Sequence, residues 1–116
     1  MSTDCNATIE ILRPARIFGT HWAKITLDRD YQLFDLIAGA RSDDASLAIF
    51  PPRALAPGGE VWTGATWLWA VELDAVASAY AERCGREATE PRAIAAAMHL
   101  LNGRDAERTR CSFEFF

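Results

Sequence analysis

Hydrophobic and polar positions alternate along two early segments of the chain, Ala7–Arg13 and His21–Leu27. This period of two is typical of half-buried β-strands. Pro14 ends the first strand because proline cannot donate to a strand ladder, and Gly19–Thr20 is predicted to lie in the bend between the two. Cys111–Phe116 alternates in the same way, so we expect this last strand to pair with the first or the second.

Between these strands the apolar spacing is that of helices. Tyr31–Ala38 follows Asp30, whose carboxylate suits a helix N-cap, and precedes Gly39, which suits a C-terminal stop. A second helix is predicted from about Ala70 to Cys84, before Gly85. A third begins at Thr89-Glu90-Pro91, with a capping hydroxyl, an early acid and a proline in the first turn, and ends at Asn102-Gly103.

A long connection runs from Asp43 to about Thr63 and contains three prolines and two adjacent glycines. Leu47–Phe50 within it is predicted to be extended, and Ala65–Trp69 after it is a short aromatic strand. Loops of this length without regular structure often carry function. The 116 residues thus predict one α+β domain, a small antiparallel sheet with about three helices packed on one face.

Composition narrows the class of protein. The net charge of −4 argues against a general binder of nucleic-acid phosphates, which normally has a basic surface. No signal-peptide pattern begins the chain, and no apolar stretch approaches the roughly 20 residues that cross a bilayer. The three cysteines are odd in number and show no CxxC spacing. We therefore expect a protein of the reducing cytoplasm, without a membrane partner.

Catalytic, metal and cofactor motifs are not found. The two histidines, His21 and His99, share no metal-ligand spacing, and no glycine-rich phosphate loop or nucleophile elbow is present. Cys111 has the alternation of a core residue, and Cys5 lies near a terminus expected to fray. The prediction is a protein that is not an enzyme and holds no metal or cofactor. An enzyme without a recognisable motif, dependent on His21 or His99, remains an alternative.

Two groups of arginines support another alternative, a nucleic-acid-binding regulator. Acidic residues interrupt each group, as on a solvated surface, but a basic patch would form if the two groups met in space. The groups are Arg83, Arg86 and Arg92, and Arg104, Arg108 and Arg110.

The loop and its tryptophans support the first hypothesis, binding to another protein. Trp62, Trp67 and Trp69 lie in or beside an acidic, proline-containing loop, and interfaces are enriched in aromatic residues and arginine. A homodimer is a further expectation, through an open edge at Phe115-Phe116. The predicted partner-binding residues are Asp43, Asp44, Arg53, Glu60 and Trp62.

The segment Asp28–Arg41 resembles a family of small uncharacterised phage and prophage proteins, in which an R-x-Y-x-L-F motif runs into L-A-G-V-R. Pro52-Arg53 is similar to that family's loop, Thr66–Leu73 to its S-W-L-x-x-x-E-L segment, and Arg110–Phe116 to its Phe-rich last strand. The chain departs from the pattern at Thr66, at the loop glycines and in lacking a final Asp-Asn.

The resemblance implies a viral accessory protein in the cytoplasm of a bacterial host. Such proteins often act by occupying the surface of a host protein or ribonucleoprotein complex. The sharpest form of this expectation is an anti-CRISPR protein that binds a Cas protein.

Overall fold

A computed structural model describes residues 3–13 and 17–116 of the chain. Its four-stranded sheet has the order β2-β1-β4-β3, and all neighbouring strands are antiparallel. The α+β class predicted from sequence is confirmed. The elements are β1 (Cys5–Arg13), β2 (Ile17–Leu27), α1 (Tyr31–Ala38), a 3-10 helix (Ala45–Leu47), β3 (Ala65–Leu68), α2 (Ala70–Cys84), α3 (Thr89–Asn102) and β4 (Thr109–Phe115).

The first and last strands pair at the centre of the sheet, as the alternation at both ends predicts. Their register runs from Cys5 opposite Phe115 to Ile11 opposite Thr109. Because β4 lies between β1 and β3, it offers no free edge. The expectation that Phe115-Phe116 forms an open dimerisation edge is therefore wrong, and the edge strands are β2 and β3.

The second strand, β2, begins earlier than the sequence predicts. Gly19 and Thr20 lie inside β2 rather than in a bend. Ile9 pairs with Ala23 and Glu10 with His21, which leaves Trp22 as the extra residue of a β-bulge. The bulge lets β1 and β2 remain paired beyond this extra residue. Pro14, predicted to end the first strand, lies outside the described residues.

One face of the sheet packs on the three helices and forms the hydrophobic core. The aromatic rings of Phe34 from α1 and Phe115 from β4 meet edge to face, 5.4 Å apart. Burying side chains of this size is the main stabilisation available to a domain of this length. The buried sheet residues on this face are Cys5, Ala7, Ile9, Leu27, Leu68, Cys111, Phe113 and Phe115.

The residues predicted to cap α1 do so at both of its ends. The Asp30 carboxylate accepts a hydrogen bond from the Leu33 N–H at 3.2 Å, and Gly39 has a φ of 69°. A β-carbon at Gly39 would lie 1.8 Å from the Asp44 carbonyl oxygen, so only glycine fits there. The Thr89 prediction is wrong in one respect. Thr89 is the first residue of α3, preceded by Ala88, so its hydroxyl is not the cap.

The connection between α1 and β3 is irregular apart from its 3-10 helix, which forms because the Asp44 carboxylate accepts from Ser46. Leu47–Phe50 is not extended, since Leu47 ends this helix and bends follow it. The Ile49 N–H donates to the Leu36 carbonyl and ties the connection to α1. No helix among the described residues is long and apolar enough to cross a membrane.

Candidate functional site

The sheet face opposite the helices is partly covered by the loop between α1 and β3. Arg53 attaches this loop to the sheet: its N–H donates to the Thr66 hydroxyl at 2.9 Å. Its guanidinium donates twice to the Glu72 carboxylate, each time at 2.5 Å. The guanidinium carbon also lies 4.6 Å from the centre of the Trp67 ring.

Trp67 lies at the centre of these contacts. We call the group of Arg53, Trp67, Glu72 and Arg110 the inner cluster. The Trp67 indole N–H donates to the Ala54 carbonyl at 3.2 Å, and Arg110 lies 5.4 Å from the ring centre. Arg110 also donates to the Leu55 carbonyl at 2.9 Å. Trp67 therefore fixes the loop to β3 and β4 and is a structural residue.

The charges of the inner cluster stabilise each other. Burial alone would raise the pKa of Glu72, but hydrogen bonds from Arg53 and from the Trp69 N–H, with the nearby positive charge, hold it below its usual value. The hydrogen bond to Glu72 likewise raises the pKa of Arg53. Arg53, predicted to bind a partner, has its guanidinium committed to contacts within the chain.

Asp43 and Asp44 are exposed, but both carboxylates take part in the loop's own hydrogen bonds. Asp43 accepts from the Thr63 hydroxyl at 2.5 Å, which holds the two ends of the loop together. Asp44 accepts from the Ser46 N–H and hydroxyl, and these bonds lower its pKa. These two predicted residues stabilise the loop, and both remain exposed to solvent.

Glu60 and Trp62, the remaining predicted residues, come together at an open cleft of about 520 Å³. The Trp62 ring folds over Gly64, where a β-carbon would lie 1.7 Å from the ring. The absence of a side chain at Gly64 therefore leaves room for the ring in this position. Even so, 57% of Trp62 stays exposed. We call this surface the aromatic cleft; it is lined by Leu55, Ala56, Gly59, Glu60, Trp62, Gly64, Ala65, Glu114, Phe115 and Phe116.

The sequence reasoning missed the β4 side of the aromatic cleft. Glu114 and Phe116 lie more than fifty positions from Glu60 and Trp62 along the chain, and only the pairing of β3 with β4 brings them together. One signal was available in the sequence. Phe116 occupies the same phase of the strand alternation as Ser112 and Glu114, so an aromatic stands where a polar residue is expected.

The two candidate catalytic histidines lie on different elements, His21 on β2 and His99 on α3. His21 lies 3.8 Å from Glu10, and His99 lies 2.7 Å from Asp74 on the helical side of the molecule. Cys5 is fully buried in β1 rather than frayed, and burial raises the pKa of its thiol, so it is a core residue. No three histidine, cysteine, aspartate or glutamate side chains of residues 3–13 and 17–116 are grouped as a metal would require.

The two arginine groups stay apart. They lie at opposite ends of α3, whose 14 residues span about 20 Å. Arg110 is largely buried in the inner cluster, and Arg92 pairs with Glu87 at 2.9 Å. The six arginines therefore do not form one basic patch of the kind that the nucleic-acid hypothesis requires.

A second apolar feature lies at the other edge of the sheet. A groove of about 180 Å³ separates β2 from α3, and Trp22 and Ile25 line it. Trp22 is 53% exposed, close to the value for Trp62. The two tryptophans thus occupy opposite edges of one sheet in similar exposure, which makes each a control for the other.

Three comparisons, with models of protein families, with curated proteins and with solved structures, find no match to this chain. The resemblance to small phage proteins therefore stays a prediction.

Proposed function

We propose that this protein acts by binding another protein, and that the aromatic cleft and the exposed residues beside it form the contact surface. The observation that carries the proposal is the run Glu60-Val61-Trp62, in which two large apolar side chains are more than half exposed next to a cleft. Exposed apolar surface beside a concave site favours association. Tryptophan is also among the residues that contribute most to binding energy at interfaces.

For the partner, we propose a host defence complex such as CRISPR–Cas, in the cytoplasm of a bacterial host. Support for this step comes from the resemblance of Asp28–Arg41 and Arg110–Phe116 to phage proteins. Glu60 and Glu114 on the contact surface would repel nucleic-acid phosphates. The proposed contact is accordingly a protein component of the complex, and a Cas protein in particular.

The test is capture of purified candidate Cas complexes by the tagged protein, with and without nuclease, and with two matched pairs of variants. Trp62→Ala and Glu60→Lys are expected to lower capture at least tenfold. Trp22→Ala and Glu82→Lys remove the same side chains from exposed positions elsewhere and are expected to leave capture unchanged. Capture that Trp22→Ala abolishes and Trp62→Ala preserves would move the contact surface to the β2–α3 groove and overturn the proposal.

A further inference from the structure

Arginine side chains in this protein are repeatedly held between an aromatic ring and a carboxylate. The Arg53 guanidinium lies over Trp67 and is hydrogen-bonded to Glu72. The Arg86 guanidinium lies 5.5 Å from the centre of the Tyr80 ring and 3.7 Å from an oxygen of Asp30. An aromatic face and a carboxylate together attract a guanidinium through cation–π and ionic interactions.

The aromatic cleft offers the same pair of groups, and none of the described residues that line it is an arginine. Trp62 and Phe116 supply rings that are more than half exposed, and Glu60 and Glu114 supply carboxylates. No residue lining the cleft is basic. Among the described residues, no side chain hydrogen-bonds to or forms an ion pair with either glutamate. The cleft therefore has the charge and the ring surface for a cation, and no cation among residues 3–13 and 17–116 occupies it.

We propose that the aromatic cleft binds the guanidinium group of an arginine presented by the partner protein. This inference rests on the proposed function and specifies its chemistry. A guanidinium placed over the Trp62 ring would have Glu60 and Glu114 in the same cleft as acceptors for its N–H groups, the combination of ring and carboxylate that Arg53 contacts in Trp67 and Glu72. The volume of about 520 Å³ is in the usual range for small-ligand sites and admits one side chain with its flanking backbone.

The carboxylates and the rings of the cleft together disfavour the other classes of occupant. A phosphate or carboxylate would face two glutamates, and like charges at close range repel. An apolar side chain would cover the glutamates without giving them a hydrogen bond, which is unfavourable for a charged group. A lysine ammonium would satisfy the charge but lacks the flat face that stacks on an indole. Arginine matches both features.

The experiment uses N-acetyl-arginine methylamide as the probe, titrated into the ¹⁵N-labelled full chain. The indole N–H of Trp62 reports on the cleft, and that of Trp22 serves as the internal control. We expect a saturable shift of the Trp62 signal with a Kd in the millimolar range, as a single side chain would give. The citrulline analogue has nearly the same shape but no charge, and it should bind at least tenfold more weakly.

Variants locate the probe. Glu60→Gln and Glu114→Gln should each weaken binding several-fold, while Glu82→Gln, an exposed glutamate of α2, should leave it unchanged. A Trp62 signal that does not move, an equal response to citrulline, or an equally tight response to N-acetyl-lysine methylamide would each overturn the arginine assignment.

The two proposals fail in different ways. If Trp62→Ala abolishes capture of the partner but the arginine probe does not bind, the proposed function stands and the arginine assignment is wrong. If the probe binds at Trp62 but Trp62→Ala leaves partner capture unchanged, the cleft is an arginine site and the proposed contact surface is wrong.

Discussion

The inner cluster and the aromatic cleft both include residues of the loop between α1 and β3, and each combines a tryptophan with glutamate. In the inner cluster, Trp67 is flanked by Arg53 and Arg110, and Glu72 accepts two hydrogen bonds from Arg53. In the aromatic cleft, Trp62 and Glu60 are exposed. Among the described residues, two arginines belong to the inner cluster and none lines the aromatic cleft. Residue type alone therefore does not separate a structural tryptophan from one available for binding.

The comparison is tested most strongly by removing each tryptophan. Trp67→Ala should lower the free energy of unfolding by about 3 kcal/mol, because a largely covered aromatic and its hydrogen bond to Ala54 are lost. Trp62→Ala should change it by no more than about 0.5 kcal/mol, since the side chain is mostly exposed. Urea unfolding followed by circular dichroism measures both values. Equal losses would mean that the two tryptophans do not differ in role.

Removing arginine from the inner cluster should have the next largest effect. Arg53→Ala leaves the mostly buried Glu72 without its charged donor, at a cost of about 1–3 kcal/mol in the free energy of unfolding. Arg92→Ala breaks the more exposed pair with Glu87 and should cost less than about 1 kcal/mol. The same urea experiment compares the two variants, and a cost for Arg92→Ala that matches that for Arg53→Ala would contradict the distinction.

The helices and the inner cluster differ in how much of their structure can be predicted from the sequence. The bounds of α1, α2 and α3 follow from apolar periodicity and from stops such as Gly39 and Gly85, which act within a few residues. The role of Arg53 in the inner cluster is not visible in the sequence, because its contact with Glu72, nineteen positions away, exists only in the folded chain. The β2 bulge at Trp22 was missed for a related reason, since the partner strand determines where a bulge falls.

Acid should weaken the inner cluster through Glu72. Its pKa is lowered on folding, so its contribution to stability is present above the unfolded value of 4.5 and is lost as the pH falls through the folded value. We therefore expect the difference in stability between the wild type and Glu72→Gln to be largest near neutral pH and to shrink below pH 4.5. Urea unfolding at a series of pH values measures it; a difference that does not change with pH would refute the linkage.

The smallest expected change in stability comes from Gly64→Ala in the aromatic cleft. The added β-carbon would overlap the Trp62 ring, which is exposed and free to move aside. The free energy of unfolding should change by less than about 0.5 kcal/mol, whereas binding of the arginine probe should fall severalfold because the ring is displaced. In an NMR spectrum the Trp62 indole signal should shift and that of Trp22 should not. Unaltered probe binding would show that the ring position does not matter.

The pairing of β1 with β4 has a consequence for the synthesis of this protein. The Ser112 hydroxyl donates to the Thr8 carbonyl 104 residues earlier, so the centre of the sheet joins distant parts of the chain. A ribosome adding about 5–20 residues per second needs roughly 5–20 s to supply β4 after β1 has been made. During that interval β1 can pair only with β2, and an isolated hairpin is marginally stable. In the nascent chain the edge of β1 that faces β4 therefore stays unpaired until β4 leaves the exit tunnel.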